Sequence, residues 1–147
     1  MSIYLRKATL ADAEMILEWR NDAVTREHSF SKDEITLETH TNWMKNKLAD
    51  VSCTMYILMD GEACVGQLRI DKVDNVGEIS YMIAPDKRKM GYGKRIIALA
   101  EEIVSGDIKA LMGLVEKVNE PSKKCFQASG YAEFIGGETI CYIKVRA

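Results

Sequence analysis

The stretch Ile83-Ala84-Pro85-Asp86-Lys87-Arg88-Lys89-Met90-Gly91-Tyr92-Gly93-Lys94 constrains the fold most, because it ends a strand, makes a turn and opens a helix without a break. The residues before it, Gly77-Glu78-Ile79-Ser80-Tyr81-Met82-Ile83, have strand character, and Pro85 has no N–H with which to continue a ladder. From Lys94 to Val104 the apolar residues recur at helical spacing. Gly91 and Gly93 let backbone N–H groups approach a ligand with no Cβ in the way, and the helix N-terminus adds a fixed positive partial charge. Arg88, Lys89, Lys94 and Arg95 add mobile positive charge, so the turn suits a pyrophosphate. It is not a dinucleotide fingerprint, since the third glycine and the correctly spaced acidic residue are absent, and it has no Gly-Lys-Ser/Thr ending of a P-loop.

The rest of the chain bounds the class. Its 147 residues, 47% hydrophobic and 29% charged, suit one globular domain over residues 1–147, with no repeat and no low-complexity segment. A formal charge of −2 argues against a nucleic-acid partner, and the basic residues gather locally at 87–95, as a small anionic ligand requires. Met1-Ser-Ile-Tyr-Leu-Arg-Lys has no signal-peptide core, and no apolar run nears the roughly 20 residues that span a bilayer, so a cytoplasmic address with no membrane partner is expected. Cys53, Cys64, Cys125 and Cys141 are too scattered for a zinc site and read as reduced thiols in or near the core; no metal is expected.

Element signals follow one another regularly. Ile3–Lys7 reads as a strand, Thr9 as the cap of a helix running to about Asn21, and 22–27 as a short helical piece. Thr36 caps a helix from Leu37 to Leu48 with Leu37, His40, Met44 and Leu48 along one stripe. Strands at 54–59, 63–71 and 77–83 form an antiparallel meander, turned first at Asp60-Gly61. After the basic turn and its helix come a buried strand at 109–115, a helix at 121–129, and a hairpin of 131–135 with 139–145 around Gly136-Gly137. The order β-α-α-β-β-β-α-β-α-β-β is an α+β arrangement with about seven strands.

Two motifs in order carry a family resemblance. Arg88-Lys-Met-Gly91-Tyr-Gly93 after a strand fits Arg/Gln-x-x-Gly-x-Gly/Ala and resembles the acetyl-CoA motif of the GCN5-related N-acetyltransferases, the GNAT family. Downstream, Asn119-Glu-Pro121-Ser122 and Phe126-Gln-Ala-Ser-Gly130-Tyr131 resemble that family's Asn-x-x-Ser and Gly-Phe/Tyr segment. The resemblance implies a mixed, mostly antiparallel sheet flanked by helices, whose fourth and fifth strands splay apart to hold a pantetheine arm, here at 78–84 and 110–116. It implies acetyl-CoA as co-substrate, with Met82 and Ile83 at the pantetheine and acetyl carbonyl. Arg88, Lys89, Met90, Gly91, Tyr92, Gly93 and Lys94 would lie at the pyrophosphate, and Asn119, Ser122 and Phe126 along the arm. Asn119 also reads as a helix cap.

Acetyl transfer to an amine needs a base for the amine and a proton or hydrogen bond for the leaving thiolate. Glu78, on the strand that would face the acetyl group, and His40, with its near-neutral intrinsic pKa, are the candidate bases; a solvent-facing strand Glu and a packed helix His are the plainer readings. The resemblance implies a Tyr where this chain has Phe126, so Tyr81, Tyr131 or water serves the thiolate, or the thiolate leaves unassisted.

On the acceptor side, Leu17-Glu18-Trp19-Arg20-Asn21-Asp22, Leu37-Glu38-Thr39-His40 with Trp43, and Val65-Gly66-Gln67-Leu68-Arg69-Ile70-Asp71 resemble the acetyltransferases of pseudaminic acid synthesis. That subgroup acetylates the 4-amine of a UDP-linked aminodideoxysugar. The resemblance places Trp43 against a sugar or base and Arg20, Arg26 or Arg69 at the diphosphate, though tryptophans at 19 and 43 also suit core packing. A ribosomal-protein N-terminal acetyltransferase shares the same motifs. A non-catalytic acetyl-CoA-binding module is the alternative that Phe126 supports; in either case a monomer or a homodimer is expected.

Overall fold

In the computed structural model residues 2–146 are described. The chain runs β1 (Ile3–Lys7), α1 (Ala13–Arg20), α2 (Ala23–Glu27), α3 (Leu37–Ala49), β2 (Cys53–Asp60), β3 (Ala63–Val73) and β4 (Val76–Ile83). It continues with α4 (Tyr92–Ile103), β5 (Ala110–Glu116), α5 (Glu120–Ala128), β6 (Ala132–Gly136) and β7 (Thr139–Val145). The seven strands form one sheet in the order β1-β2-β3-β4-β5-β7-β6. Only β4 and β5 pair in parallel, joined by the crossover through α4; the other pairs are antiparallel.

Each face of the sheet has its own apolar cluster. On one face Ile96, Ile97 and Ala100 of α4 and Phe126 of α5 pack on Leu58, Leu68, Ile79 and Leu111. On the other, Ile16 of α1 and Met44 of α3 pack on Met55 and Ile57 of β2. Arg6 locks this second layer to β1: its guanidinium donates to both carboxylate oxygens of Asp12, which in turn accepts the Thr9 N–H at 2.9 Å.

The α+β order expected from the residues is the order found. Three details differ. The first helix begins with a 3-10 turn at Leu10–Asp12, so Thr9 caps that turn and α1 starts only at Ala13. Helix α4 begins at Tyr92 rather than Lys94, because Gly91 takes the left-handed φ of 84° that lets the chain turn straight into the helix. In α3 only His40 and Met44 of the expected stripe are buried; Leu37 and Leu48, in the first and last turns of the helix, are 47% and 37% exposed.

Gly113 decides how closely β5 and α5 approach. Phe126 is 1% exposed and stacks on Tyr142 of β7 with ring centroids 5.2 Å apart, and its ring covers Gly113 so tightly that a Cβ there would overlap it. Gly113→Ala is therefore expected to destabilise the fold by about 1–3 kcal/mol, read as a lower urea midpoint with an unchanged slope. An unchanged midpoint would show that α5 is not seated on β5 through this contact.

Candidate active site

The parallel pair β4–β5 is short. Val76, Gly77 and Glu78 pair with Ala110, Leu111 and Met112, and beyond that point the two strands have no register with each other. Both remain laddered on their outer edges, β4 to β3 as far as Ile83 and β5 to β7 as far as Glu116. The inner edges, Ile79–Ile83 and 113–116, thus face a gap with their backbone groups unpaired, which is how a strand edge accepts an extended ligand. The splay expected at 78–84 and 110–116 is present, but it opens after Glu78 and Met112, since 110–112 are still paired.

At the far end of β4 lies the basic turn. Among the described residues, no backbone N–H from Arg88 to Lys94 donates to another group of the chain; hydrogen bonding resumes at Arg95, whose N–H reaches the Gly91 carbonyl at 3.4 Å. Lys89 (φ 62°) and Gly91 (φ 84°) both take the left-handed backbone conformation, which recurs in backbone turns that bind phosphate oxygens. Gly93 has its own requirement, because a Cβ there would lie 2.7 Å from the Cys125 sulfur, where α4 and α5 converge.

A cavity of about 310 Å³ joins the gap to the helical layer. It runs through the splay, with Tyr81, Val115 and Phe126 from one face of the sheet and Arg69, Ser80 and Glu116 from the other. Its outer wall is the segment between α1 and α3, through His28, Ser29, Phe30 and Asp33, and Arg20 closes its floor. Arg69 and Arg20 share the Trp43 ring, with guanidinium carbons 5.2 and 4.6 Å from its centroid. Arg69 is neutralised: its Nε donates to Asp71 at 2.8 Å, beside Lys47 at 3.0 Å. Burial alone would raise the Asp71 carboxyl, but those two cations hold it below its ordinary range. Arg20 has no carboxylate partner among the described residues, and burial together with the Arg69 charge lowers its pKa.

Several expected residues take other positions. His40, a candidate base, is fully buried, and its Nδ1 accepts the Arg20 Nη1 at 2.9 Å while Nε2 has no hydrogen-bond partner. Burial first, then the Arg20 charge, lowers its pKa below 6.5, so it is a neutral support for Arg20, and the guanidinium stands between it and the cavity. The Arg88 side chain leaves the turn for Asp22, at 2.6 Å. Tyr92 contributes only backbone to the turn, because its ring is buried and its hydroxyl donates to Asp60 at 2.5 Å. Lys89, Met90 and Lys94 stay exposed at the mouth. Met82 packs toward the α1–α3 layer and Ile83 against the α4 layer. Asn119 both caps α5, accepting the Ser122 N–H at 3.3 Å, and lines the cavity. Glu78 sits at the vertex of the splay, opposite Asp71 and Met112.

The tyrosines divide. The Tyr81 hydroxyl lies 2.9 Å from Ser122 Oγ inside the cavity wall, while the Tyr131 hydroxyl donates to Glu101 on α4, which removes it from the gap. Burial, then the neighbouring Cys125, pushes the Tyr81 phenol far above its ordinary value. Sequence reasoning missed His28 and Glu116; Glu116 follows the apolar strand directly, and a charge ending a buried strand was the available signal.

Comparison with known proteins decides the family. The model described as "acetyltransferase (GNAT) domain" matches residues 2–132. The chain belongs to the GNAT acetyltransferase family. It is an N-acetyltransferase that draws its acetyl group from acetyl-CoA, and the unpaired gap and run of free N–H groups fit that co-substrate. No curated protein matches the chain. Solved structures share the GNAT fold. The aminoglycoside acetyltransferase AAC(6')-Ib with ribostamycin and coenzyme A is 18% identical with a TM-score of 0.86, covering 99% of this chain and 94% of its own. The spermidine N-acetyltransferase of Vibrio cholerae with CoA and spermine is 15% identical with a TM-score of 0.83, covering 97% and 95%. An acetyltransferase of Thermus thermophilus is 20% identical with a TM-score of 0.84, covering 99% and 98%. Among the described residues no helix is long and apolar enough to cross a membrane, and the four cysteines are free thiols.

The buried His40 gives this GNAT domain a pH signature. With its folded pKa depressed, the unfolded chain binds a proton that the native state refuses, so stability present above about pH 6.5 is lost as pH falls toward the depressed value. His40→Gln keeps an acceptor for Arg20 without the titration, so the wild type should lose urea midpoint more steeply than the variant between about pH 7.5 and 5.5. Parallel curves would contradict a neutral, buried His40.

Proposed function

We propose that this acetyltransferase acts on the 4-amine of a UDP-linked aminodideoxysugar. The observation that carries the acceptor class is Arg20. A partly buried guanidinium without a carboxylate among the described residues, held by a neutral imidazole beside Arg69 and over Trp43, is a preformed seat for a phosphate or other anion. The cavity volume of about 310 Å³ suits a small molecule rather than a peptide groove. Ribostamycin and spermine, bound by the structural relatives, are polycations; with Arg69 neutralised by Asp71 and with Asp33 and Glu116 also on the cavity wall, the preference for an anionic acceptor rests on Arg20.

Acetyl-CoA supplies an activated thioester: a C–N bond to the amine forms, the C–S bond breaks, and the amine's proton and the thiolate need partners. The N–H run from Arg88 to Lys94, with Lys89 and Lys94, would hold the pyrophosphate, and the free edge of β4 at Met82 and Ile83 would orient the arm and polarise the acetyl carbonyl. Asn119 and Ser122 would line its path beside Phe126, whose ring walls the gap without a polar group. Glu78, at the vertex and on the sheet face that carries Arg69 and Ser80, is the base in this reading. Tyr81 donates a hydrogen bond to the leaving sulfur; a phenol held above its ordinary pKa does not surrender its proton to a thiolate of pKa about 8.5.

Thiol release from acetyl-CoA tests this, with UDP-4-amino-4,6-dideoxy-N-acetylaltrosamine run beside spermidine, ribostamycin and a ribosomal N-terminal peptide. The nucleotide sugar should be turned over with the highest kcat/KM, and preference for a polycation or the peptide would overturn the acceptor assignment. Glu78→Gln should lower kcat by roughly 10²-fold or more. Tyr81→Phe should lower it by roughly ten- to a hundredfold, the loss of one hydrogen bond to a charged group. Arg20→Ala should act mainly through the KM for the sugar nucleotide.

A further inference from the structure

The segment from Asn21 to Ile35 walls the cavity with little apolar anchorage of its own. Helix α2 buries no residue, and Phe30 is 58% exposed. Its two ends are clasped together, since the Asn21 side chain donates to the Ile35 carbonyl and accepts the Ile35 N–H, both at 2.8 Å. Between those ends two charged contacts reach the rest of the protein. Lys32 meets Glu116 at the tip of β5 at 3.7 Å, and Arg88 meets Asp22 at 2.6 Å and the Thr25 hydroxyl at 2.8 Å. The segment therefore bridges the open end of the splay, from the turn after β4 to the end of β5.

Among the described residues, Arg88 is thus the one cation of the basic turn paired with a carboxylate. Asp22 accepts from Arg88 while also accepting the Val24 and Thr25 N–H groups at 3.2 and 3.1 Å, so helix cap and ion pair share one carboxylate. Arg88 is the main reason that carboxyl lies below its ordinary range. Binding a phosphate through the Arg88 side chain would first require breaking this pair, whereas Lys89, Lys94 and Arg95 stand exposed at the same turn without a carboxylate among the described residues.

We propose that Arg88 is a positioning residue for the acceptor wall and not a phosphate ligand: its side chain ties Asn21–Ile35 to the cofactor turn, to which it contributes only backbone. The acceptor-side cavity and the phosphate turn are thereby one mechanical unit. This rests on the turn being the coenzyme A site, and the test separates the two claims.

Coenzyme A affinity by calorimetry and hydrogen exchange over residues 22–35 are measured on the full chain as wild type, Arg88→Gln, Arg88→Lys, Asp22→Asn and the double variant of Arg88→Gln with Asp22→Asn. Asn at 22 retains a helix cap, so that variant removes the ion pair alone. Exchange over 22–35 should speed up roughly tenfold in Arg88→Gln and in Asp22→Asn, no further in the double variant, and return toward wild type in Arg88→Lys. The Kd for coenzyme A should stay within about twofold in Arg88→Gln but rise roughly tenfold in Lys89→Gln with Lys94→Gln. Coenzyme A added to the wild type should leave 22–35 as protected as before. The proposal is overturned if Arg88→Gln weakens coenzyme A about tenfold with exchange over 22–35 unchanged, or if coenzyme A speeds that exchange to the Arg88→Gln level. A wild type that fails to bind coenzyme A would instead refute the cofactor assignment, and the exchange of the variants would still decide whether Arg88 holds the wall.

Discussion

Two neighbouring strands that stop pairing create the site. After Glu78 and Met112, β4 and β5 diverge while each stays bonded on its outer edge, so the sheet is continuous in every direction except across the gap. Unpaired backbone groups inside a protein are costly unless something bonds them. Aromatic packing covers one face of the gap: Phe126 is seated on Gly113 of β5, and its ring lies 6.2 Å from that of Tyr81 on β4. The same α5 that carries Phe126 is capped by Asn119, and both residues line the cavity.

Charge is sorted around this opening. Asp71 absorbs both Lys47 and Arg69, Asp22 absorbs Arg88, and Asp12 absorbs Arg6, which leaves Arg20 as a guanidinium whose hydrogen-bond partner is a neutral imidazole. Partly buried guanidiniums are ordinarily paired with a carboxylate, and the acceptor proposal rests on this exception. At the opposite end, the seven successive backbone N–H groups from Arg88 to Lys94 lack a backbone partner among the described residues and lie beside the exposed Lys89 and Lys94.

Local signals carried most of the fold. Pro85 ending β4, Gly91 entering α4 with positive φ, and Thr36 capping α3 act on their immediate neighbours, so the residues alone located these elements within two positions. Side-chain destinations were less legible, because they depend on contacts between distant segments. Arg88 reads as part of a phosphate motif, yet its partner Asp22 lies 66 residues away, and nothing near either residue announces the pair. His40 falls on a helical stripe that suits a cleft or a core, and only the placement of Arg20 across from it settles that it is a buried support. Tyr81 was recognisable as a phenol near the site, but its partner Ser122 emerges only when α5 folds back over β4.

The central claim is that the gap between β4 and β5 and the turn after β4 receive coenzyme A as an added strand ending in a phosphate cradle. Amide chemical shifts and exchange during a coenzyme A titration test it most directly. The account predicts that amides of 79–83, 113–116 and 88–94 shift and gain protection, while the β1–β2 edge and β6 do not. Binding that leaves those three segments unchanged and perturbs another surface would contradict it.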